Sequence, residues 1–279
     1  MKQRRLMALA SAAVLALGLS ACGDDSDGGS GDAGAGGGGG ETVKVGIKFD
    51  QPGLGFQEGG SYSGFDVDVA NYVAKELGKT PEFVQSPSPQ RETLIETGQV
   101  DMIFATYSIT DERKEKVSFA GPYFIAGQDL LVASDSDISG VDDLDGKRLC
   151  SVSGSTSAKN VQEEVPGVQL REFDTYSECL DGLVNGQLDA LTTDNTILAG
   201  YASQEQYKGK LKVVGNTFSE ERYGVGIKKG DTQLCEDINA ALKKMVDDGE
   251  WQKAVDANFG PAGFEVDTKV NPPEADACS

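Results

Sequence analysis

Arg113 stands about one turn into the charged run 110–116, directly after an apolar strand candidate at 100–105. A guanidinium in that place offers a planar fork suited to a bidentate grip on a carboxylate. Asp194 follows a second apolar strand candidate, 188–192, where it can partner an ammonium group or cap a helix starting at Thr196. Ser155 and Thr156 sit at another helix start, where free N–H groups favour a carboxylate; simple capping explains their side chains equally well. Lys48 directly follows the strand candidate 43–47 and points at the same end of the sheet, with a solvated surface lysine as an even alternative. Cations for a carboxylate and an acid for an amine are what a small zwitterion requires, because burying either of its charges unpaired is unfavourable.

Composition removes several other chemistries. The 279 residues contain no histidine, so a Ser-His-Asp triad, a Cys-His pair and an H-E-x-x-H zinc site are all excluded. Asp and Glu number 45 against 25 Lys and Arg, a formal net charge of −20, which argues against a nucleic-acid partner. No residue set indicates a cofactor or a metal. The net charge also sets a condition on any anionic ligand: the few cations must converge locally on one site.

The elements that must position these residues alternate strand and helix. A helix at 65–77 repeats Val69, Val73 and Leu77 and stops at Gly78. Strand candidates follow at 82–85 and 100–105, then Gln128–Ala133, Arg148–Val152, 168–173 and 188–192, with helices at 91–97, 110–116, Thr156–Glu164, 177–184 and 196–202, and two more at 232–246 and 250–258. The pattern is α/β with largely parallel sheets. Two segments echo each other: Gly98-Gln99-Val100-Asp101 and Gly186-Gln187-Leu188-Asp189 each close a helix and enter a strand that ends in polar residues. Ligands of open α/β sheets bind beyond the carboxyl ends of strands, so two such ends imply two lobes facing one cleft.

The amino terminus reads as an address. Lys2, Arg4 and Arg5 precede the short apolar stretch 6–19, which ends in Leu19-Ser20-Ala21-Cys22. This resembles a bacterial lipobox: residues 1–21 form a lipoprotein signal peptide and Cys22 becomes the acylated first residue. Residues 22–41, rich in Gly and Asp, form a flexible tether. Four cysteines remain, and an exported chain with an even count suggests two disulfides, for which three pairings exist. We expect the local pairing, Cys150 with Cys179 and Cys235 with Cys278, which keeps each bridge inside one lobe.

The run Asp101-Met102-Ile103-Phe104-Ala105-Thr106-Tyr107-Ser108-Ile109-Thr110-Asp111-Glu112-Arg113, followed by Val117-Ser118-Phe119 and Gly121-Pro122-Tyr123, resembles the signature of the extracellular solute-binding proteins for polar amino acids that serve ATP-driven importers (family 3). Gly64-Phe65-Asp66-Val67-Asp68, Asp143-Leu144-Asp145-Gly146-Lys147 and Ser153-Gly154-Ser155-Thr156-Ser157 add to the resemblance, which covers residues 43–260. Within that family the chain is similar to actinobacterial glutamate-binding lipoproteins through Lys48-Phe49-Asp50-Gln51-Pro52, Gln90-Arg91-Glu92-Thr93 and Asp189-Ala190-Leu191-Thr192-Thr193-Asp194.

The resemblance implies a two-lobed, type II periplasmic-binding-protein-like fold, with residues 42–133 and 224–279 in lobe 1, residues 134–223 in lobe 2, and a two-strand hinge. It implies that Arg113 grips the α-carboxylate with the Ser108 N–H. The Ser108 hydroxyl and Thr106 carbonyl then accept from the ammonium, and Asp194 supplies its counter-charge. Arg91 reaches a side-chain carboxylate, with Lys48 and Thr193 beside it, which favours glutamate, then aspartate, over glutamine or another polar amino acid. Phe49, Phe56, Tyr123 and Tyr223 are candidate walls for the ligand's aliphatic part. The expected protein is a monomeric binder rather than an enzyme, anchored by lipid on the extracytoplasmic face of the cell membrane and delivering its ligand to permease subunits. A catalytic member of the same fold is the less favoured alternative.

Overall fold

A computed structural model of the chain describes residues 41–278. The expected signal peptide, Cys22 and all of the expected tether except Glu41 lie outside the described residues.

The first sheet opens with β1 (Glu41–Ile47), whose Val43, Val45 and Ile47 are buried. A small antiparallel sheet of β2 (Asp50–Gln51), β3 (Gly55–Glu58) and β4 (Ser61–Ser63) leads to α1 (Phe65–Glu76), which buries Val69, Ala70 and Val73 on one face. There follow β5 (Lys79–Gln85), α2 (Arg91–Glu96), β6 (Met102–Ile103), α3 (Asp111–Lys114) and the long β7 (Val117–Ala126). The second sheet takes β8 (Gln128–Ala133), β9 (Arg148–Val152), α4 (Thr156–Glu164), β10 (Gln169–Phe173), α5 (Tyr176–Val184), β11 (Ala190–Asp194), α6 (Asn195–Ala202) and β12 (Leu211–Val213). The chain then returns as β13 (Glu221–Lys228), α7 (Thr232–Asp247) and α8 (Glu250–Phe259).

The strand orders are β5-β1-β6-β13-β7 and β10-β9-β11-β8-β12. In each sheet the first three are parallel and the fourth runs against them. The protein is thus an α/β, two-lobed molecule of type II; the carboxyl ends of β1, β6 and β9 lead into loops at the cleft, and that of β11 leads directly into α6.

The crossings between lobes lie earlier in the chain than the boundaries at 133/134 and 223/224 suggest. β8 pairs with β11 and β12, and its Leu130, Leu131 and Val132 are fully buried, so 128–133 belongs to the second sheet. The outgoing strand crosses at Gly127. The returning strand crosses just before Glu221, which pairs with Ala126, while the Phe218 N–H donates to the Gln128 carbonyl at 3.0 Å.

Two disulfides staple the body: Cys150 in β9 to Cys179 in α5, and Cys235 in α7 to Cys278 in the carboxyl-terminal tail. That tail lies along edge strand β7. The Asn271 side chain accepts from the Ile125 N–H at 2.8 Å and donates to its carbonyl at 2.9 Å, and the Asp276 N–H donates to the Gly121 carbonyl.

Candidate functional site

Three cations from the first lobe are buried at the cleft: Lys48 at 4% exposure, Arg91 at 2% and Arg113 at 8%. Lys48 directly follows β1, Arg91 is the first residue of α2, and Arg113 lies in α3, whose Thr110 cap fixes the turn by accepting from the Arg113 N–H. The Lys48 ammonium donates to Ser88 Oγ at 2.6 Å. Arg91 donates to the Ala105 carbonyl at 3.1 Å and, more weakly, to the Thr106 carbonyl. Arg113 donates to the Ser108 carbonyl at 2.7 Å. Both guanidiniums lie over the Tyr107 ring, 4.4 and 4.9 Å from its centre. Arg113 turns away from Glu112 and meets Glu92 at 3.4 Å; Glu112 instead pairs with Lys159 of the other lobe.

Both guanidiniums also reach across the cleft to one acceptor, the Gly154 carbonyl, at 3.0 Å from Arg113 and 3.3 Å from Arg91. Gly154 has φ +72°, and a Cβ there would come within 2.8 Å of Pro89 on the facing lobe, so the close approach requires glycine.

Among the described residues, neither Lys48 nor Arg91 has a carboxylate oxygen within 4 Å. Burial holds the Lys48 ammonium well below the usual lysine range, with the Arg91 charge adding to the effect. Burial and then the Arg113 charge push Arg91 down to about 10. Both shifts come first from burial, and neither side chain has an ion-pair contact among the described residues to offset it.

The opposing charge comes from β11. Asp194, 3% exposed, occupies the first position before α6 but makes no capping bond with its side chain. Its carboxylate accepts instead from the Tyr223 phenol at 2.6 Å and from Ser157 Oγ at 3.4 Å. Burial, then the charge of Glu221, pushes it up to about 7. Asp66 lies deeper, accepting from the Tyr123 phenol and the Thr106 N–H, and burial raises it to about 6. Thr106 carries φ +44°, the one positive φ outside glycine among the described residues, at the end of β6 where the cleft begins.

The hydroxyls divide between capping and the cleft. Ser155 caps α4, its Oγ accepting from the Ala158 N–H at 3.0 Å. The Thr156 hydroxyl is turned outward from the helix and donates to Glu221 at 2.9 Å, 3.4 Å from Ser108 Oγ. Thr193 is buried on β11 beside the phenol of Tyr176. Arg91, Thr106, Ser155, Thr156 and Asp194 line one small cavity together with Tyr176. Arg113 lines the adjoining mouth, a space of about 690 Å³ between Glu92, Ser153 and Lys159. Lys48 reaches Ser88 on the rim of the inner cavity, and Thr193 stands behind Tyr176.

Sequence reasoning missed Tyr176 and Glu221, which carry no motif. It placed four aromatics as possible walls, but Tyr123 and Tyr223 belong to the aromatic core around Phe124 and Trp251, where they touch the site through their hydroxyls. Phe49 packs on Tyr62. Among the described residues, no group of three or more His, Cys, Asp or Glu could hold a metal ion. What the arrangement can do is hold carboxylate groups on one lobe and an ammonium on the other.

Known proteins are similar to this chain in sequence and fold. The sequence model of the bacterial extracellular solute-binding proteins, family 3, covers residues 43–261. The glutamate-binding protein GluB of Corynebacterium glutamicum is 49% identical over 241 residues, 81% of each chain. The ABC transporter glutamine-binding protein GlnH of Bacillus subtilis is 39% identical over 76% of this chain and 79% of its own length. Among solved structures, an ancestral arginine-binding protein bound to glutamine superposes with a TM-score of 0.74 at 37% identity, over 78% of this chain and 98% of the other.

Proposed function

We propose a ligand from one premise: the chain belongs to the bacterial extracellular solute-binding proteins, family 3. Its work is then the capture of a small polar solute outside the cytoplasm. We infer that the solute is L-glutamate, with aspartate as a weaker ligand. The observation that carries this reading is the convergence of three buried cations: Lys48, Arg91 and Arg113 meet where, among the described residues, only Glu92 stands in ion-pair contact with any of them. A ligand with two carboxylates balances those charges, whereas a neutral side chain such as that of glutamine leaves them less well paired.

In this reading Arg113 and the backbone N–H groups of Ser108 and Thr156 hold the α-carboxylate, and Asp194, Ser108 Oγ and the Thr106 carbonyl receive the ammonium. Arg91 and Lys48 face the side-chain carboxylate, with Thr193 behind them. On the ligand's arrival, Arg91 and Arg113 exchange the Gly154 carbonyl for carboxylate oxygens, which are stronger acceptors. Contacts from both lobes favour the closed form by their differential binding energy, and the closed form docks on a permease. The protein acts as a monomer and releases its ligand unchanged. Cys22 carries the lipid, and residues 22–41 tether the body to the membrane.

The test is calorimetry of ligand-free protein with glutamate, aspartate and glutamine. Glutamate is expected to bind at least about tenfold more tightly than glutamine, the difference that one charge-assisted contact supplies. Equal or tighter binding of glutamine, or no heat from any acidic amino acid, overturns the assignment.

A further inference from the structure

We propose that Glu221, a carboxylate built into the hinge, sets the direction of a hydroxyl chain and thereby makes the site select for an amine-bearing ligand. The inference rests on the reading above for the place of the α-ammonium, but not on the identity of the side chain.

Glu221 is the first residue of the returning strand β13 and is 3% exposed. Among the described residues no cation lies within 4 Å of it. Three neutral donors hold it instead. Ser219 Oγ at 2.8 Å and Asn160 Nδ2 at 3.1 Å donate to Oε1, and Thr156 Oγ1 at 2.9 Å donates to Oε2. Thr156 and Asn160 are one turn apart at the start of α4, so the hinge carboxylate sits across the amino-terminal turn of that helix, whose dipole favours a negative charge.

A hydroxyl owns one proton. An ionised carboxylate can only accept, so the Thr156 proton points at Glu221. Ser108 Oγ, 3.4 Å from Thr156 Oγ1, can then only donate to it. The chain runs Ser108 to Thr156 to Glu221, from the first lobe through the second to the hinge. Both hydroxyls then have their protons engaged and can only accept from a ligand, as an ammonium wants and a carboxylate does not. Asp194 lies close enough to Glu221 for the two charges to interact, so the same residue also deepens the negative field at the amine end. Glu221 touches no ligand in this account. It is a positioning residue.

Glu221→Gln reverses the chain. The two donors on Oε1 pin the amide oxygen there, which leaves the amide nitrogen facing Thr156 as a donor. Thr156 then accepts from the amide and offers its own proton toward Ser108 or the ligand. The test compares L-glutamate with glutarate, its analogue without the amine, by calorimetry on wild type and Glu221→Gln, with the weaker ligand measured by displacement. The variant is expected to bind glutamate about tenfold less tightly and glutarate within about twofold of wild type, so the ratio between them collapses. Equal losses for both ligands mean a merely structural role and overturn the proposal, as does an unchanged ratio. If Glu221→Gln fails to fold, Thr156→Val removes the hydroxyl and keeps the backbone N–H, and the same change in ratio is expected. If wild type proves to prefer glutamine, the assignment of the ligand fails while this inference is still read from glutamine against its own des-amino analogue.

Discussion

The two sheets share a strand order and differ in what they carry at the cleft. In the first, the loops and helix starts after β1, β5 and β6 supply Lys48, Arg91 and Arg113. In the second, the turn and helix start after β9 supply Gly154, Ser155 and Thr156, and the last residue of β11 is Asp194. One scaffold built twice thus presents positive charge on one wall and negative charge with hydroxyls on the other. On the reading proposed above, neither wall alone satisfies a zwitterion: the α-carboxylate meets Arg113 from the first lobe and the Thr156 N–H from the second, and the ammonium meets Asp194 from the second and Ser108 from the first, so full pairing and closure are the same event.

That contrast can be broken most severely on its positive side. Arg113→Ala is expected to weaken ligand binding by about a hundredfold or more, since it leaves a buried carboxylate without its bidentate partner. In a thermal melt the ligand-induced rise in Tm should disappear while the unliganded Tm falls by only a few degrees; an undiminished rise contradicts the assignment of Arg113.

The negative wall should respond to pH. Asp194 stands at about 7, above its unfolded value near 3.8. The fold holds that proton more tightly than the unfolded chain does, so this group's contribution to unliganded stability is greatest in acid and declines as pH rises from about 4 to 7. Ligand binding runs the other way. An ammonium requires the ionised form, so affinity should weaken by up to about tenfold per unit as pH falls below 7. Asp194→Asn is expected to bind about tenfold less tightly at pH 8 and to flatten the profile. Titrations from pH 5 to 8 check both, and a variant that keeps the slope places the proton elsewhere.

The smallest effect belongs to the rim. Lys159 and Glu112 join the lobes at 2.7 Å, but both are more than half exposed. Lys159→Ala should change ligand affinity by less than about threefold, and less still at high salt. A larger change measured by calorimetry would move weight from the buried groups to the surface.

Much of this layout is legible in the sequence because its periodicities are strong. Gln128–Ala133, Arg148–Val152 and Thr156–Glu164 form the elements that the apolar pattern indicates over the same residues. β7 escapes notice because Gly121-Pro122 reads as a turn. At an edge position the proline's missing donor is not needed, and the strand continues through it. The hinge is displaced for a related reason: with β7 unread, nothing in the sequence shows that the strand Gln128–Ala133 pairs with β11 and β12 rather than with the first sheet. In the site, Arg113, Thr156 and Asp194 are visible because each follows a strand or starts a helix. Tyr176 and Glu221 are isolated polar residues whose importance depends on what folding brings opposite them.

The tail along β7 has a further consequence. A bare edge strand offers unpaired N–H and C=O groups to any passing chain and invites sheet-to-sheet aggregation. Asn271 occupies both groups of Ile125 with its side-chain amide, which pairs like a strand but cannot propagate a ladder. With Cys278 fastening the end of this cover to α7, the first lobe carries its own blocker against polymerisation on that side.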